Sequence, residues 1–229
     1  MTMDFATRRM QARAKLDAID PHKRPGGVEA DPKRREWFEA VYSLAEGDAA
    51  GVPWANLEPH PLLASWLATQ GSLEGVHALD VGCGLGDNAE ALAAAGADVV
   101  AFDLVEQAVG WARERFPGSA VVYRQADLFS PPPEWRGAFD LVHECYTLQA
   151  LPEALLPEAA SALAYPVAAG GRLLVISRAR DEEQAIVGPP WPLAKSQIEA
   201  LAVAGLTLRS LEAQDTAKGP HWRAVFERL

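Results

Sequence analysis

The sequence predicts a doubly wound α/β fold, in which a mostly parallel β-sheet is covered by helices on both faces. From residue 76 onward, short apolar runs typical of buried strands alternate with helical segments, which is the pattern of a parallel sheet. The first strand is followed at once by a glycine-rich turn that opens a helix. Two strands follow each other directly at the end of the chain, which predicts one antiparallel strand near an edge of the sheet.

Two segments precede this sheet. Residues 1–20 carry only a weak amphipathic pattern, and the segment 21–27 breaks it, so we expect residues 1–31 to form a mobile or loosely packed arm. Apolar residues at helical spacing then predict a helix that begins after Pro32 and ends at Gly47. The chain is accordingly divided into an arm (1–31), a helical cap (32–72) and an α/β domain (73–229).

The strands of the domain follow in order along the chain. The first covers residues 76–81, the second ends at Asp103, the third precedes Asp127, and the fourth covers residues 138–145. A helix over residues 104–116 ends at the following Pro-Gly pair. A further helix within 152–171 leads to the fifth strand, and the two closing strands form a hairpin around residues 217–220.

Composition narrows the functional classes. The 21 Lys and Arg residues against 31 Asp and Glu residues give a formal net charge of −10, which argues against general nucleic-acid binding. Two cysteines, Cys83 and Cys145, provide neither a disulfide framework nor a zinc quartet, so we expect a reducing compartment and no metal. There is neither a long apolar run nor an apolar signal core, so we expect a cytoplasmic protein without membrane partners.

The glycine-rich turn contains Gly82, Gly84 and Gly86 and excludes two phosphate-binding motifs. No lysine follows these glycines, so the turn is not a P-loop. The dinucleotide fingerprint requires a third glycine at position 87, where the chain has Asp87. This position argues against the alternative of an NAD-dependent oxidoreductase.

Two aspartates that flank the turn indicate a different ligand. Asp80 ends the first strand, where its carboxylate would repel a pyrophosphate but attract an ammonium group. Asp103 ends the second strand and can accept hydrogen bonds from both hydroxyls of a ribose. A ligand with an amino-acid end and a ribose but no phosphate is S-adenosylmethionine (SAM), which becomes S-adenosylhomocysteine after it donates its methyl group.

The segment ALDVGCGLGDNAEALAAAGADVVAFDL, residues 78–104, resembles the first two motifs of class I SAM-dependent methyltransferases. The resemblance continues to about residue 180 and implies a seven-stranded sheet whose last strand is antiparallel to its neighbour. It also implies the residues that contact the cofactor. These are Asp80, Gly82, Cys83, Gly84, Gly86, Asp103, Leu104, Asp127, Leu128, Glu144 and Trp37, of which Asp127 and Leu128 would lie beside the adenine.

Three features outside this segment resemble the thiopurine S-methyltransferase-like group, which includes thiol and tellurite methylating relatives. They are the tryptophan in the N-terminal helix, the VPW segment at residues 52–54 and the GPPWPL segment at residues 188–193. This resemblance implies that Trp37 or Trp54 covers the sulfonium. Trp54, Pro190 and Trp191 are the predicted residues of the acceptor site. The Asp-Arg-Gly that is typical of thiopurine enzymes after the fourth strand is replaced here by Glu144-Cys145-Tyr146. The arginine is therefore missing, which weighs against a thiopurine acceptor.

Candidate catalytic residues lie at the end of the fourth strand. His143 is placed to act as a general base or to pack as a strand residue, and Tyr146 is an equally placed candidate. Arg178 ends the fifth strand and is a candidate contact for an anionic acceptor. Cys83 is expected to contribute only its backbone.

We therefore expect a SAM-dependent methyltransferase that acts on a small molecule, with a thiol or related sulfur, selenium or tellurium nucleophile as the favoured acceptor. A thiolate needs no general base, whereas a hydroxyl does. The alternatives are O- or N-methylation of a small aromatic metabolite, or a SAM-binding protein without catalysis. No nucleic-acid partner is expected, and the protein is expected to be a monomer or a homodimer.

Overall fold

The structure, a computed structural model, describes residues 3–23, 31, 33–186 and 188–229. Seven strands form one sheet. The strands are β1 (His77–Val81), β2 (Asp98–Asp103), β3 (Val122–Gln125), β4 (Phe139–Cys145), β5 (Val167–Arg178), β6 (Leu206–Thr216) and β7 (Gly219–Arg228). The main helices are α1 (Phe5–Ile19), α2 (Arg35–Ala45), α3 (Pro61–Leu67), α4 (Asp87–Ala94), α5 (Glu106–Arg115), α6 (Leu156–Ala164) and α7 (Lys195–Glu199).

The strand order is β3-β2-β1-β4-β5-β7-β6. β7 lies antiparallel between β5 and β6, and the other neighbouring strands pair in parallel. The predicted closing hairpin is confirmed, because β6 and β7 pair from Thr216 and Gly219 outward. The predicted fold class is confirmed, including the single antiparallel strand near one edge.

Helices cover both faces of the sheet. Residues of α3, α4 and α5 pack with one face, and residues of α6 and α7 pack with the other. On β4, Leu141 belongs to the first core and Val142 to the second. Regular strand alternation would place Phe139 on the same face as Leu141, but the β4–β5 pairing is irregular between the two, and Phe139 packs in the same core as Val142.

The N-terminal segments lie over the sheet edge that carries the glycine turn. Leu16 of α1 is buried, and Tyr42 and Ala45 of α2 pack with Leu85 of the glycine turn. Residues 24–30 of the predicted arm lie outside the described residues, so the division at residue 31 stays an interpretation. Within the described parts of the chain, no helix combines the length and the apolar character needed to span a membrane.

Candidate active site

A cavity of about 210 Å³ opens at the carboxyl ends of β1, β2 and β4, where ligands bind in doubly wound sheets. A second cavity of about 70 Å³ is also lined by the glycine turn. The two share Trp54, Gly82, Cys145 and Tyr146 in their linings. Tyr146 therefore borders both spaces, at the point where β4 ends.

The glycine turn is shaped by close contacts that exclude side chains. Gly82 and Gly86 have φ values of +63° and +90°, and a Cβ atom on either would collide with the hydroxyl group of Thr147 or Tyr123, respectively. Cys83 lies between them and buries its side chain in the core beneath the turn. Its thiol points away from solvent, which agrees with the expectation that this residue contributes its backbone.

Asp103 is held rigidly at the end of β2. One carboxylate oxygen accepts a hydrogen bond from the backbone N–H of Gly84, and the other accepts one from Val105, each at 3.0 Å. Each oxygen retains a lone pair for a further donor. Burial raises the pKa of Asp103 to about 6, so the carboxylate is mostly ionised at pH 7. The residue lines the cavity, as a ribose-binding aspartate must.

The two residues predicted beside the adenine, Asp127 and Leu128, line the same cavity. Leu104, a further predicted cofactor contact, lines it as well. Asp127 accepts a hydrogen bond from the Arg35 guanidinium at 2.8 Å, which connects this side of the cavity to α2. The structure therefore brings the predicted ribose and adenine residues together around one space.

Asp80 does not point into this cavity. Its carboxylate is buried, and one oxygen lies 2.6 Å from Nδ1 of His143, the residue paired with it on the neighbouring strand β4. Neither residue is among those that line the two cavities. A general base must reach the proton that it removes, so this geometry disfavours both the predicted ammonium contact of Asp80 and the predicted catalytic role of His143.

Glu144 projects from the opposite face of β4 and is fully buried. One carboxyl oxygen accepts hydrogen bonds from the backbone N–H groups of Thr147 and Leu148, at 2.6 and 3.0 Å. Burial raises the pKa of Glu144 to about 8, so the group is mostly neutral at pH 7. It stabilises the turn after β4, and it does not border the cavity where the cofactor contact was expected.

Tyr146 is the predicted catalytic residue that faces both cavities. It follows β4 with a φ of 73°, a left-handed conformation that is uncommon for a residue with a side chain. Its hydroxyl lies 2.6 Å from Nε2 of His221 and 2.9 Å from Nε2 of His60. Two histidines from distant parts of the chain therefore meet on one phenol.

The remaining ring nitrogens fix the direction of these hydrogen bonds. Nδ1 of His60 accepts from the backbone N–H of Leu62, so the proton of this ring is on Nε2 and is donated to Tyr146. Nδ1 of His221 lies 2.8 Å from the carbonyl of Gly219 and donates to it, so Nε2 accepts the proton of the phenol. Burial lowers the pKa of His60 to about 3 and also lowers that of His221, so both rings are neutral at pH 7.

Aromatic side chains cover the cavity from the N-terminal side. Trp37 and Trp54 line the cavity, and their ring centroids are 5.9 Å apart. The indole N–H of Trp54 donates to the Tyr42 hydroxyl at 3.2 Å, and a Cβ atom on Gly84 would lie 3.6 Å from that nitrogen. Trp54 thus packs on the glycine turn, on the side predicted for the cofactor rather than only beside the acceptor.

The proline-rich segment after β5 contributes unequally to the cavity. Pro190 lines it, as predicted, and Arg178 lines it at the end of β5. Trp191 is not among the lining residues. Its ring packs against the guanidinium of Arg34 and the edge of His22, with separations of 5.2 and 5.1 Å. Trp191 therefore supports the segments that close the cavity.

The thiols are poor candidates for nucleophiles. Cys145 lines both cavities, but burial raises the pKa values of Cys83 and Cys145 well above the usual thiol value. Since the thiolate is the reactive form, both groups are inert at neutral pH.

The sequence alone does not assign a role to three residues of this site. His60, His221 and Lys218 come from a loop, a strand start and a hairpin turn, and only the tertiary fold brings them to Tyr146 and the cavity. A signal was available for His60 alone, which directly precedes Pro61 and caps α3 with its ring nitrogen.

Residues 78–171 match the family model of a methyltransferase domain. These residues form a class I SAM-dependent methyltransferase domain. The predicted general recognition is thereby confirmed, whereas the finer assignment to the thiopurine-like group stays a prediction. The match covers β1 to β4 and the first residues of β5, and hence the glycine turn and Asp103.

Similar proteins agree with this assignment. The chain is 37% identical over 98 residues to a ubiquinone biosynthesis O-methyltransferase of Aromatoleum aromaticum, covering 42% of each protein. It is 36% identical over 141 residues to the protein of the same name from Bordetella bronchiseptica, covering 58% of this chain and 57% of the relative. The chain therefore aligns with about half the length of these curated relatives.

A solved structure extends the fold comparison to the whole chain. Magnesium protoporphyrin IX methyltransferase of Synechocystis PCC 6803, solved with SAM bound, superposes with a TM-score of 0.61 at 20% identity and covers 100% of this chain and 99% of its own. At this identity the likeness concerns the fold. The superposed region includes the helices that precede the sheet.

The methyltransferase domain has a site that fits SAM. Asp103 offers two oriented acceptors to a ribose, and Gly82 of the glycine turn lines the same cavity. Leu104 and Leu128 provide apolar surface for a planar base. The predicted cofactor residues that line the cavity are Trp37, Gly82, Asp103, Leu104, Asp127 and Leu128. Asp80, Cys83, Gly84, Gly86 and Glu144 do not line it.

Proposed function

We propose that this protein transfers the methyl group of SAM to a hydroxyl oxygen of a small organic acceptor. The observation that carries the proposal is the hydrogen-bonded chain from Tyr146 to His221 at the edge of the cavity that Asp103 lines. A hydroxyl is a weak nucleophile until its proton leaves, so O-methylation benefits from a base at this place. The partial likeness to O-methyltransferases supports the same acceptor atom.

SAM, when bound, supplies a methyl group activated by the adjacent sulfonium. The protein's task is to align the acceptor with that group, exclude water and take up one proton. The Tyr146 oxygen receives the proton of the acceptor hydroxyl while its own proton passes to Nε2 of His221. The bond from Nδ1 of His221 to the Gly219 carbonyl stabilises the imidazolium that results.

His60 orients the phenol during this transfer. Its Nε2–H donates to the Tyr146 oxygen and so directs the phenol proton toward His221. Because the pKa of His60 is about 3, this ring stays neutral and keeps the same donor at all working pH values.

A sulfur, selenium or tellurium acceptor stays a prediction from the sequence. A thiolate needs no base, so the Tyr146–His221 pair gives such an acceptor no advantage. Methylation of nitrogen likewise stays open as an alternative.

The experiment that tests the proposal measures S-adenosylhomocysteine formation with a panel of catechols, hydroxybenzoates, amines and thiols. We expect turnover with at least one hydroxyl acceptor and a product methylated on oxygen. Turnover with thiols alone would overturn the choice of acceptor atom. SAM binding without turnover of any acceptor would favour the non-catalytic alternative.

A further inference from the structure

The cavity is rich in cations, although the chain as a whole is acidic. Seven lysine or arginine residues and four aspartates line it, whereas the net charge of the chain is −10. Three of the four aspartates are paired with cations in the lining, as Asp17–Lys23, Asp20–Arg34 and Asp127–Arg35. The fourth, Asp103, is the ribose acceptor. Each aspartate of the cavity is therefore either paired with a cation of the lining or assigned to the ribose.

The remaining cations have no acidic partner in the cavity. Lys33 pairs with Glu158 at its rim, which leaves Arg13, Arg178 and Lys218. Among the residues that the structure describes, no carboxylate lies within 4 Å of these three side chains. Such an excess of positive charge in a partly enclosed space is unfavourable unless an anion enters it.

Like charges are also brought together at the hairpin end of the cavity. The ammonium of Lys218 and the guanidinium of Arg9 both donate to the same atom, the side-chain oxygen of Asn56, at 2.5 and 3.3 Å. Two nitrogens of Arg9 are buried without a hydrogen-bond partner. Burial, together with the charges of Arg9 and Arg178, lowers the pKa of Lys218.

The cationic cluster of Arg9, Arg178 and Lys218 lies beside the proposed base, the Tyr146–His221 pair. Arg178 pairs with His221 across β5 and β7. Burial raises the pKa of the Tyr146 phenol, and the charge and hydrogen bond of the Arg178 guanidinium act against that rise. A group bound by Arg178 and Lys218 would therefore lie within one small molecule's length of the atom that removes the proton.

We propose that the methyl acceptor carries a carboxylate, which Arg178 and Lys218 bind so that the reacting hydroxyl meets Tyr146. The proposal rests on the proposed O-methyltransferase function and specifies its substrate class. The planar fork of an arginine binds the two oxygens of a carboxylate, and the lysine adds a second charge. Arg13, exposed at the mouth of the cavity, and Arg9 strengthen the attraction at longer range.

The test compares an acid with its neutral isostere. The probes are 3,4-dihydroxybenzoate and 3,4-dihydroxybenzamide, titrated calorimetrically into protein saturated with S-adenosylhomocysteine. We expect the acid to bind at least about tenfold more tightly than the amide, the factor that one charge-assisted hydrogen bond provides. Equal binding of the two compounds, or binding of neither, would overturn the proposal.

Variants assign the effect to the cluster. Arg178→Gln and Lys218→Gln are each expected to reduce the preference for the acid to within about twofold to threefold, since a neutral amide cannot replace the charge. The matched control is Arg136→Gln, an exposed arginine outside both cavities, which should keep the full preference. An unchanged preference in Arg178→Gln would contradict the proposal.

Turnover separates this proposal from the one on which it rests. Methylation of acid and amide with the same KM would disprove the carboxylate site while the O-methyltransferase function stands. Binding that depends on Arg178 without methylation of either probe, or of any compound of the wider panel, would disprove the function while the anion site stands.

Discussion

The hydroxyl of Tyr146 lies 2.6 Å from Nε2 of His221, and the second nitrogen of that histidine is held by the carbonyl of Gly219. The chain of hydrogen bonds has one direction, because His60 donates to the same hydroxyl from the other side. A neutral histidine that can receive a phenol proton is a general base for a group that the phenol contacts. This relationship distinguishes the site from a plain cofactor pocket.

The His221 ring predicts the acidic limb of the pH–rate profile. Burial lowers the pKa of His221 below its usual 6.5, so the ring loses its ability to accept a proton only below that pH. With SAM saturating at every pH, we expect kcat/KM for a hydroxyl acceptor to be constant near pH 7 and to fall at a pH below 6.5. His221→Asn should reduce kcat and remove this limb. A limb that persists unchanged in His221→Asn would assign it to another group.

Asp103 predicts a pH dependence of cofactor affinity. Its raised pKa of about 6 means that acidification through this value neutralises the carboxylate that accepts the ribose hydroxyls. We expect the Kd for SAM to rise as the pH falls from 7 to 5. Asp103→Asn should weaken binding about tenfold or more at pH 7 and abolish this dependence.

The control for Asp103 is an aspartate on the same strand. Asp98 begins β2, has an exposed side chain and lies away from the cavity. Asp98→Asn should bind SAM as the wild type does at every pH. Equal losses in the two variants would mean that the effect of Asp103→Asn is not a lost ribose contact.

The Asp20–Arg34 pair predicts how α1 is retained over the cavity. The two side chains are 1% exposed and 2.8 Å apart, and the Arg34 guanidinium stacks 4.2 Å from the Trp37 ring. Removal of one partner from a buried pair costs about 3–5 kcal/mol because the other charge stays buried. We expect Asp20→Asn to release α1 and to speed ligand dissociation in stopped-flow measurements.

Asp17→Asn provides the comparison for Asp20. Asp17 pairs with Lys23, but its side chain is 44% exposed, and exposed pairs contribute about 0–1 kcal/mol. Dissociation rates in this variant should match the wild type within about twofold. If Asp17→Asn and Asp20→Asn release the ligand at the same rate, the buried pair does not hold α1 over the cavity.

Glu144 predicts a pH-dependent stability. Its pKa is raised from 4.5 to about 8 in the folded protein, so the folded state binds a proton more tightly than the unfolded state. The contribution of this group to stability is therefore present below pH 4.5 and is lost as the pH rises through about 8. We expect Glu144→Gln to raise Tm relative to the wild type at pH 9 and to differ little at pH 5, by calorimetry.

The sequence predicts those parts of the site that are formed by residues close together in the chain. Residues 77–103 form one continuous strand–turn–helix–strand unit, so the spacing of its glycines and its aspartate predicts both the fold and the cofactor. The roles of Asp80 and Glu144 were misplaced, because they depend on which strand lies beside β1 and on the shape of the turn after β4. Asp80 meets His143 through the β1–β4 register, which the local pattern does not contain.

The acceptor side depends on contacts between distant segments. Residues 60, 146 and 221 meet because β7 inserts between β5 and β6, with Arg178 opposite His221. No periodicity in the sequence predicts that register. Arg178 was a candidate because it ends a strand, but its neighbours Lys218 and Arg9 reach it only through the hairpin and α1.

The most direct test measures transfer of a labelled methyl group from SAM to 3,4-dihydroxybenzoate by the wild type, Tyr146→Phe and Tyr165→Phe. Tyr165 serves as the matched control, since its hydroxyl donates to the Pro133 carbonyl outside both cavities. We expect O-methylation by the wild type and by Tyr165→Phe, with kcat at least about 100-fold lower in Tyr146→Phe and SAM affinity unchanged. Equal kcat values in Tyr146→Phe and the wild type would contradict the proposed role of the Tyr146 hydroxyl.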